Sequence, residues 1–224
     1  MLGIFDSGRG AEAVLSRVRA LYPTSDLCVL EDSENAPYGT KSREELLPIV
    51  KSNIGKLITA GASRVLIGCC TASTVYGELG RIEKQISIPI IAPTASLAAT
   101  ATKNGKIGVI ATEATVRSGV FTREIRKLSQ TVTVYERAAQ KLVGLVEGLK
   151  ADGVTDGDKA LVAEVLSDFH GTDIDTLVLG CTHFPHLSKV IKELLPDVKL
   201  VSCAEAAALW LSPLPQGTGK TVFL

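Results

Sequence analysis

Val65-Leu66-Ile67-Gly68-Cys69-Cys70-Thr71 and Leu177-Val178-Leu179-Gly180-Cys181-Thr182-His183 are two passages of one design. Each is a short aliphatic run that ends in Gly, then Cys, with Thr close behind. A continuous apolar run of this length reads as a buried parallel strand. The carboxyl end of such a strand is where open α/β sheets place their ligands. The two cysteines are 112 residues apart (69 to 181), half of the 224-residue chain. The spacing points to two similar halves, each offering one thiol to one small substrate. Two thiols facing one carbon suit a reaction that needs a base on either side of it.

The rest of the chain fits an α/β fold with parallel strands, because strand and helix signals alternate throughout. Strands are expected at Leu2-Phe5, Leu27-Leu30, Val65-Ile67, Ile90-Ala92, Ile107-Ile110, Val132-Tyr135, Leu177-Leu179 and Lys199-Val201, with a further short one at Thr221-Leu224. Val14, Leu15, Val18 and Leu21 form a helical stripe, as do Leu187, Val190, Ile191 and Leu194, and Leu161, Val162, Val165 and Leu166. Ser42 with Glu45 reads as a capping box, with Pro48 expected to kink that helix or shift its start. The low-charge stretch from Pro93 to Thr102 places a domain crossover near residue 93.

Composition narrows the function. Twenty-four Lys and Arg balance twenty-four Asp and Glu, and the charges are interleaved. A basic patch for nucleic acid or a membrane surface is therefore not expected. No apolar run approaches the roughly 18 residues of a membrane span. Met1-Leu2-Gly3-Ile4-Phe5 runs straight into Asp6, unlike a signal peptide, so the expected location is the cytoplasm. Five cysteines at irregular spacing do not make a disulfide framework. Cys181-Thr182-His183 lacks a second ligand pair at zinc spacing, so no metal is expected. Gly219-Lys220-Thr221 ends like a phosphate loop, but Leu214 stands where that loop needs Gly.

Chemistry-bearing residues gather at the expected strand ends. Asp6 and Ser7 follow the first strand, either as partners of a ligand (Ser7 for a carboxylate, Asp6 for a proton or an ammonium group) or as a helix cap. Tyr38 offers a phenol and Gly39 an N–H to a carboxylate, unless the segment is an ordinary proline turn. Cys69 and Cys181 each precede an expected helix, whose positive end favours thiolate. His183 is placed to assist Cys181. Cys28 and Cys203 read as buried structural thiols.

These residues fall into longer motifs: Phe5-Asp6-Ser7-Gly8, Ala36-Pro37-Tyr38-Gly39, Cys69-x-Thr71-Ala72, Ile110-x-Thr112-x-x-Thr115, Leu145-Val146-Glu147 and Leu179-Gly180-Cys181-Thr182-His183-Phe184-Pro185. In them the chain resembles the glutamate racemases of the cofactor-independent aspartate/glutamate racemase superfamily, from Phe5 to about Ala207. The resemblance implies two pseudo-symmetric α/β domains, each a mainly parallel sheet flanked by helices, with the active site in the cleft between them. It implies a discontinuous first domain (1–92 with 208–224) and a second domain of 93–207. It implies Cys69 and Cys181 as catalytic acid/bases, Asp6 and His183 as their supports, and Glu147 as a further acid near the site. Ser7, Tyr38, Gly39, Thr71, Thr115 and Thr182 match substrate-binding positions. No cofactor is implied. The substrate would be glutamate, the product D-glutamate would supply peptidoglycan, and a homodimer is an arrangement open to such proteins.

Four departures mark this chain. Cys70 replaces an asparagine of the resembled motif at a substrate-binding position. A thiol hydrogen-bonds poorly by comparison, a difference of roughly 1.5–3 kcal/mol, or about ten- to a hundred-fold in binding. Gly10-Ala11 replaces Gly-Gly. Ala139-Gln140-Lys141-Leu142-Val143-Gly144 replaces a Cys-Pro-x-x-Val-Pro loop, and the carboxyl end is shorter. Two alternatives therefore stay open: a racemase of aspartate or another amino acid, and a weakened paralogue that binds without turnover.

Overall fold

In the computed structural model, which describes residues 1–149 and 153–224, two all-parallel sheets carry the chain. The first holds β1 (Leu2–Asp6), β2 (Leu27–Glu31), β3 (Arg64–Ile67), β4 (Ser87–Pro89) and β9 (Thr221–Phe223), in the order β4-β3-β1-β2-β9. The second holds β5 (Lys106–Ala111), β6 (Thr133–Ala138), β7 (Thr176–Gly180) and β8 (Lys199–Ser202), in the order β6-β5-β7-β8. Read from the other edge, the second sheet repeats the first: β8-β7-β5-β6 matches β4-β3-β1-β2. In register, Phe5 pairs with Ile67 as Ile110 pairs with Leu179. The α/β class and the paired halves expected from the two Gly-Cys passages are thus present.

The helices are α1 (Gly10–Leu21), α2 (Arg43–Thr59), α3 (Cys70–Ser73), α4 (Arg81–Ile86), α5 (Ile91–Ala101), α6 (Glu113–Ser118), α7 (Val120–Leu128), α8 (Gln140–Glu147), α9 (Asp156–Ser167), α10 (Ser188–Leu194) and α11 (Cys203–Trp210). Alternate side chains of each central strand enter different cores, as the period of a strand requires. Ile4 and Val178 join Val14, Ala95, Ala207 and Leu211 in one cluster shared by both sheets. Phe5 and Ile67 face α2 and pack with Val50, Ile54 and Leu57. Leu177 and Leu179 face the opposite way, onto Leu142, Val162 and Ile191. Strands buried on both faces explain why the two opening passages read as unbroken apolar runs.

Local signals hold in most places. Ser42 Oγ accepts from the Glu45 amide at 3.2 Å, and Glu45 returns a carboxylate to the Ser42 amide at 2.7 Å. The helix begins at Arg43 and continues through Pro48, so the expected shift of its start does not occur. The expected strand at Ile90-Ala92 is a correction. The strand lies three residues earlier, and Ile91 opens α5. Pro93 falls in the first turn, where a missing N–H costs nothing, and the alanines that follow favour helix. Among the described residues no helix is long and apolar enough to cross a membrane.

Candidate active site

The residues that follow the two matched strands line one cavity. Gly68 and Gly180 are the residues that allow it. A Cβ on Gly68 would come within 3.0 Å of the Phe5 carbonyl, and one on Gly180 within 2.8 Å of the Ile110 carbonyl. Each glycine thus lets its strand end lie flat against the central neighbour, and the cysteine after it turns out at the sheet's edge. Cys69 and Cys181 both line a single cavity of about 350 Å³, a size suited to a small metabolite.

The cavity is also lined by Ser7, Gly8, Arg9, Glu31, Ser33, Ala36, Pro37, Tyr38, Gly39, Cys70, Thr71, Thr112, Gln140, Val143, Glu147, Thr182 and His183. Of the residues singled out from sequence, Asp6 and Thr115 are not on its wall. Both are fully buried just behind it. Asp6 accepts hydrogen bonds from Thr182 Oγ1 at 2.9 Å and from the Gly8 amide at 3.2 Å. The helix after β1 starts only at Gly10 and is capped by neither Asp6 nor Ser7, which removes the capping alternative. Thr115 joins Thr71 and Thr112 in a closed triangle of hydroxyls with edges of 2.8, 2.9 and 3.3 Å.

Cys69 has Ser7 Oγ at 3.6 Å from its sulfur. Cys181 has His183 Nδ1 at 3.5 Å, and His183 Nε2 lies 2.5 Å from Glu147 Oε1. A carboxylate, an imidazole and a thiol therefore stand in sequence at one cysteine. The other stands at the first turn of α3, next to a hydroxyl.

The thiols differ from expectation in one respect. Helix ends were expected to lower their pKa values. Burial instead pushes Cys69 up to about 12, with the Asp6 carboxylate adding to the rise and the Ala72 amide, the Ser7 hydroxyl and the Thr71 amide opposing it. Burial likewise holds Cys181 well above the ordinary range, against the His183 amide, with Cys69 and Asp6 adding to the rise. Asp6 is itself pushed up by burial, with His183 and its hydrogen bonds opposing. The positive end of a four-residue helix does not offset a dry site. The segment after Cys181 is only a 3₁₀ turn, Phe184–Leu187.

Two further residues are placed differently from their reading. The Tyr38 phenol does not face the cavity. It donates to Asp32 at 2.5 Å, and Asn53 holds both groups from beneath. Cys70 lines the wall, yet its thiol neighbours buried Cys203; that neighbour and burial hold it well above the ordinary thiol range. Thr112, Arg9, Glu31 and Gln140 were not singled out as ligands. Thr112 stood inside a quoted motif, one residue past a strand end, which was a usable signal. Among the described residues no three or more His, Cys, Asp or Glu side chains are grouped to hold a metal ion.

Comparison with known proteins agrees with this geometry. Residues 11–210 match the family described as Asp/Glu/Hydantoin racemase. The chain is 37% identical over 214 residues to a glutamate racemase of Persephonella marina, covering 94% of this chain and 80% of that protein. It is 39% identical over 207 residues to one of Desulforudis audaxviator, covering 92% and 75%. The structure superposes on the Francisella tularensis glutamate racemase solved with D-glutamate at a TM-score of 0.87 and 28% identity, covering 99% of this chain and 86% of that one.

Proposed function

The chain belongs to the glutamate racemases of the Asp/Glu/Hydantoin racemase family, and from that premise we propose that it interconverts L- and D-glutamate by two-base proton transfer between Cys69 and Cys181. The observation that carries this reading is the pair of matched strand ends that bring both thiols to the wall of one cavity.

One thiolate removes the α-proton, and the opposite thiol delivers a proton to the other face. The roles exchange for the other enantiomer. A raised pKa makes each sulfur a stronger base once ionised, which a weakly acidic carbon requires. It also makes ionisation costly. With Cys69 at about 12, forming its thiolate in the empty site at pH 7 costs about 7 kcal/mol. The substrate's ammonium, held in the same dry cavity, offsets that cost. Glu147 and His183 hold the proton that moves to and from Cys181. Asp6 keeps Thr182 in place and keeps the resting thiols protonated. Thr71 and Ser7 supply hydroxyls to the substrate's charged groups and to the negative charge that builds during transfer, and Thr182, whose proton goes to Asp6, offers its oxygen to the ammonium.

D-Glutamate made in the cytoplasm would feed the peptidoglycan of the cell wall. The test is twofold. The optical rotation of either pure enantiomer should decay to zero with the purified protein, and the gene should restore growth to a bacterial strain that requires D-glutamate. A protein that leaves glutamate optically active but racemises aspartate belongs to a different substrate.

A further inference from the structure

Helix α8 turns Gln140, Val143 and Glu147 toward the cavity, positions that share one face of a helix. Glu147 is engaged by His183. Gln140 is engaged by nothing. Its Oε1 is buried without a hydrogen-bond partner among the described residues. An unpaired buried amide oxygen opposes folding, so the side chain is not held there by a bond of its own. The oxygen is shut against Gly39, where an added Cβ would come within 2.2 Å of it. The amide nitrogen is neither hydrogen-bonded nor sealed away, so the open end of this side chain is a donor.

A glutamate whose α-carbon sits at the two sulfurs has Cys70, Thr71 and Thr182 beside its head group. Gln140 stands against Gly39, on a wall that also includes Pro37 and Ala36. Of the groups a glutamate carries, a donor there suits a carboxylate. We propose that Gln140 donates from its carboxamide Nε2 to the distal carboxylate of the substrate and so selects an acidic side chain. This assignment rests on the racemase reading above.

Wild type, Gln140→Leu and Gln140→Glu are compared by racemisation kinetics, by calorimetric titration with D-glutamate, and by inhibition with 2-aminobutyrate, which lacks the distal carboxylate. Gln140→Leu should raise KM and Kd for glutamate about ten- to a hundred-fold, with kcat within about threefold. Gln140→Glu should bind glutamate more weakly still, because like charges meet. Inhibition by 2-aminobutyrate should match wild type in both variants. Glutamate binding unchanged in Gln140→Leu overturns the proposal. So does tighter binding in Gln140→Glu, which would make the amide an acceptor for the ammonium, and so does a parallel loss for both ligands, which would mean a structural role only. If the wild type fails to racemise glutamate but binds it, the racemase reading fails alone, and the titrations still decide Gln140. If the wild type does not bind D-glutamate, both fail.

Discussion

His183 Nε2 lies 2.5 Å from Glu147 Oε1, joining an imidazole that is 5% exposed to a carboxylate that is 43% exposed. The contact ties α8 to the end of β7 and lines a carboxylate and an imidazole up behind Cys181, with no such pair behind Cys69 among the described residues. Removing the carboxylate in Glu147→Ala should lower kcat about ten- to a hundred-fold, the strength of a charge-assisted hydrogen bond. The equilibrium between enantiomers keeps kcat/KM equal in the two directions. The asymmetry should therefore surface as a larger primary isotope effect with the α-deuterated form of one enantiomer only. Equal isotope effects in both directions would separate Glu147 from Cys181.

Tyr38 should matter for stability more than for turnover, because its phenol points to Asp32 and Asn53. Tyr38→Phe is expected to destabilise by about 1–2 kcal/mol in denaturant titration and to leave kcat within about threefold. A loss of activity without a loss of stability would restore the phenol to the site.

Asp32 gives the fold an acid-sensitive point. Burial raises its pKa, but hydrogen bonds from Tyr38, Asn53 and Asn35 outweigh burial and hold it below the ordinary carboxylate value. A depressed pKa contributes stability that is complete above about pH 4 and is lost as pH falls through the folded value. Between pH 5 and 2 the stability of Asp32→Asn should therefore fall less steeply than that of wild type.

The thiols behave in the opposite sense. Their folded pKa values lie above the unfolded value of about 8.5, so the folded state holds protons that the unfolded chain has released. Stability should be unaffected below that pH and decline as pH rises beyond it, less so in Cys69→Ser. Alkylation of the free enzyme by iodoacetamide should be slow at pH 7 and still accelerating at pH 9. A plateau near neutrality would show a thiolate that burial does not permit.

Gly10 meets Thr182 across the site. A Cβ there would stand 2.0 Å from Thr182 Oγ1 and 2.8 Å from Asp6 Oδ1. Gly10→Ala should cost about 1–3 kcal/mol of stability and reduce activity, since Thr182 must give up its bond to Asp6.

Much of this was legible because it is periodic or local. Unbroken apolar runs marked strands buried on both faces, and the Gly-Cys endings marked their functional edge. Ser42 and Glu45 cap their helix as their spacing requires. What escaped depends on burial or on distant partners. The Ala-rich start of α5 hid behind Pro93, which a first turn accepts. The direction of the thiol shifts could not be read locally, since the burial of Cys69 is assembled from segments far apart in sequence, among them Phe5, Tyr38 and Val50. Gln140 has no motif; only the packing of α8 on Gly39 shows its oxygen without a partner.

The central claim is that Cys69 and Cys181 serve opposite faces of one α-carbon. Single-enantiomer glutamate in deuterated water tests it most directly, with wild type, Cys69→Ala and Cys181→Ala followed by mass and chirality. Wild type should yield the opposite enantiomer carrying one α-deuterium, and neither variant should invert the substrate. Inversion at the wild-type rate in either variant, or wild-type product that keeps its original proton, would contradict the account.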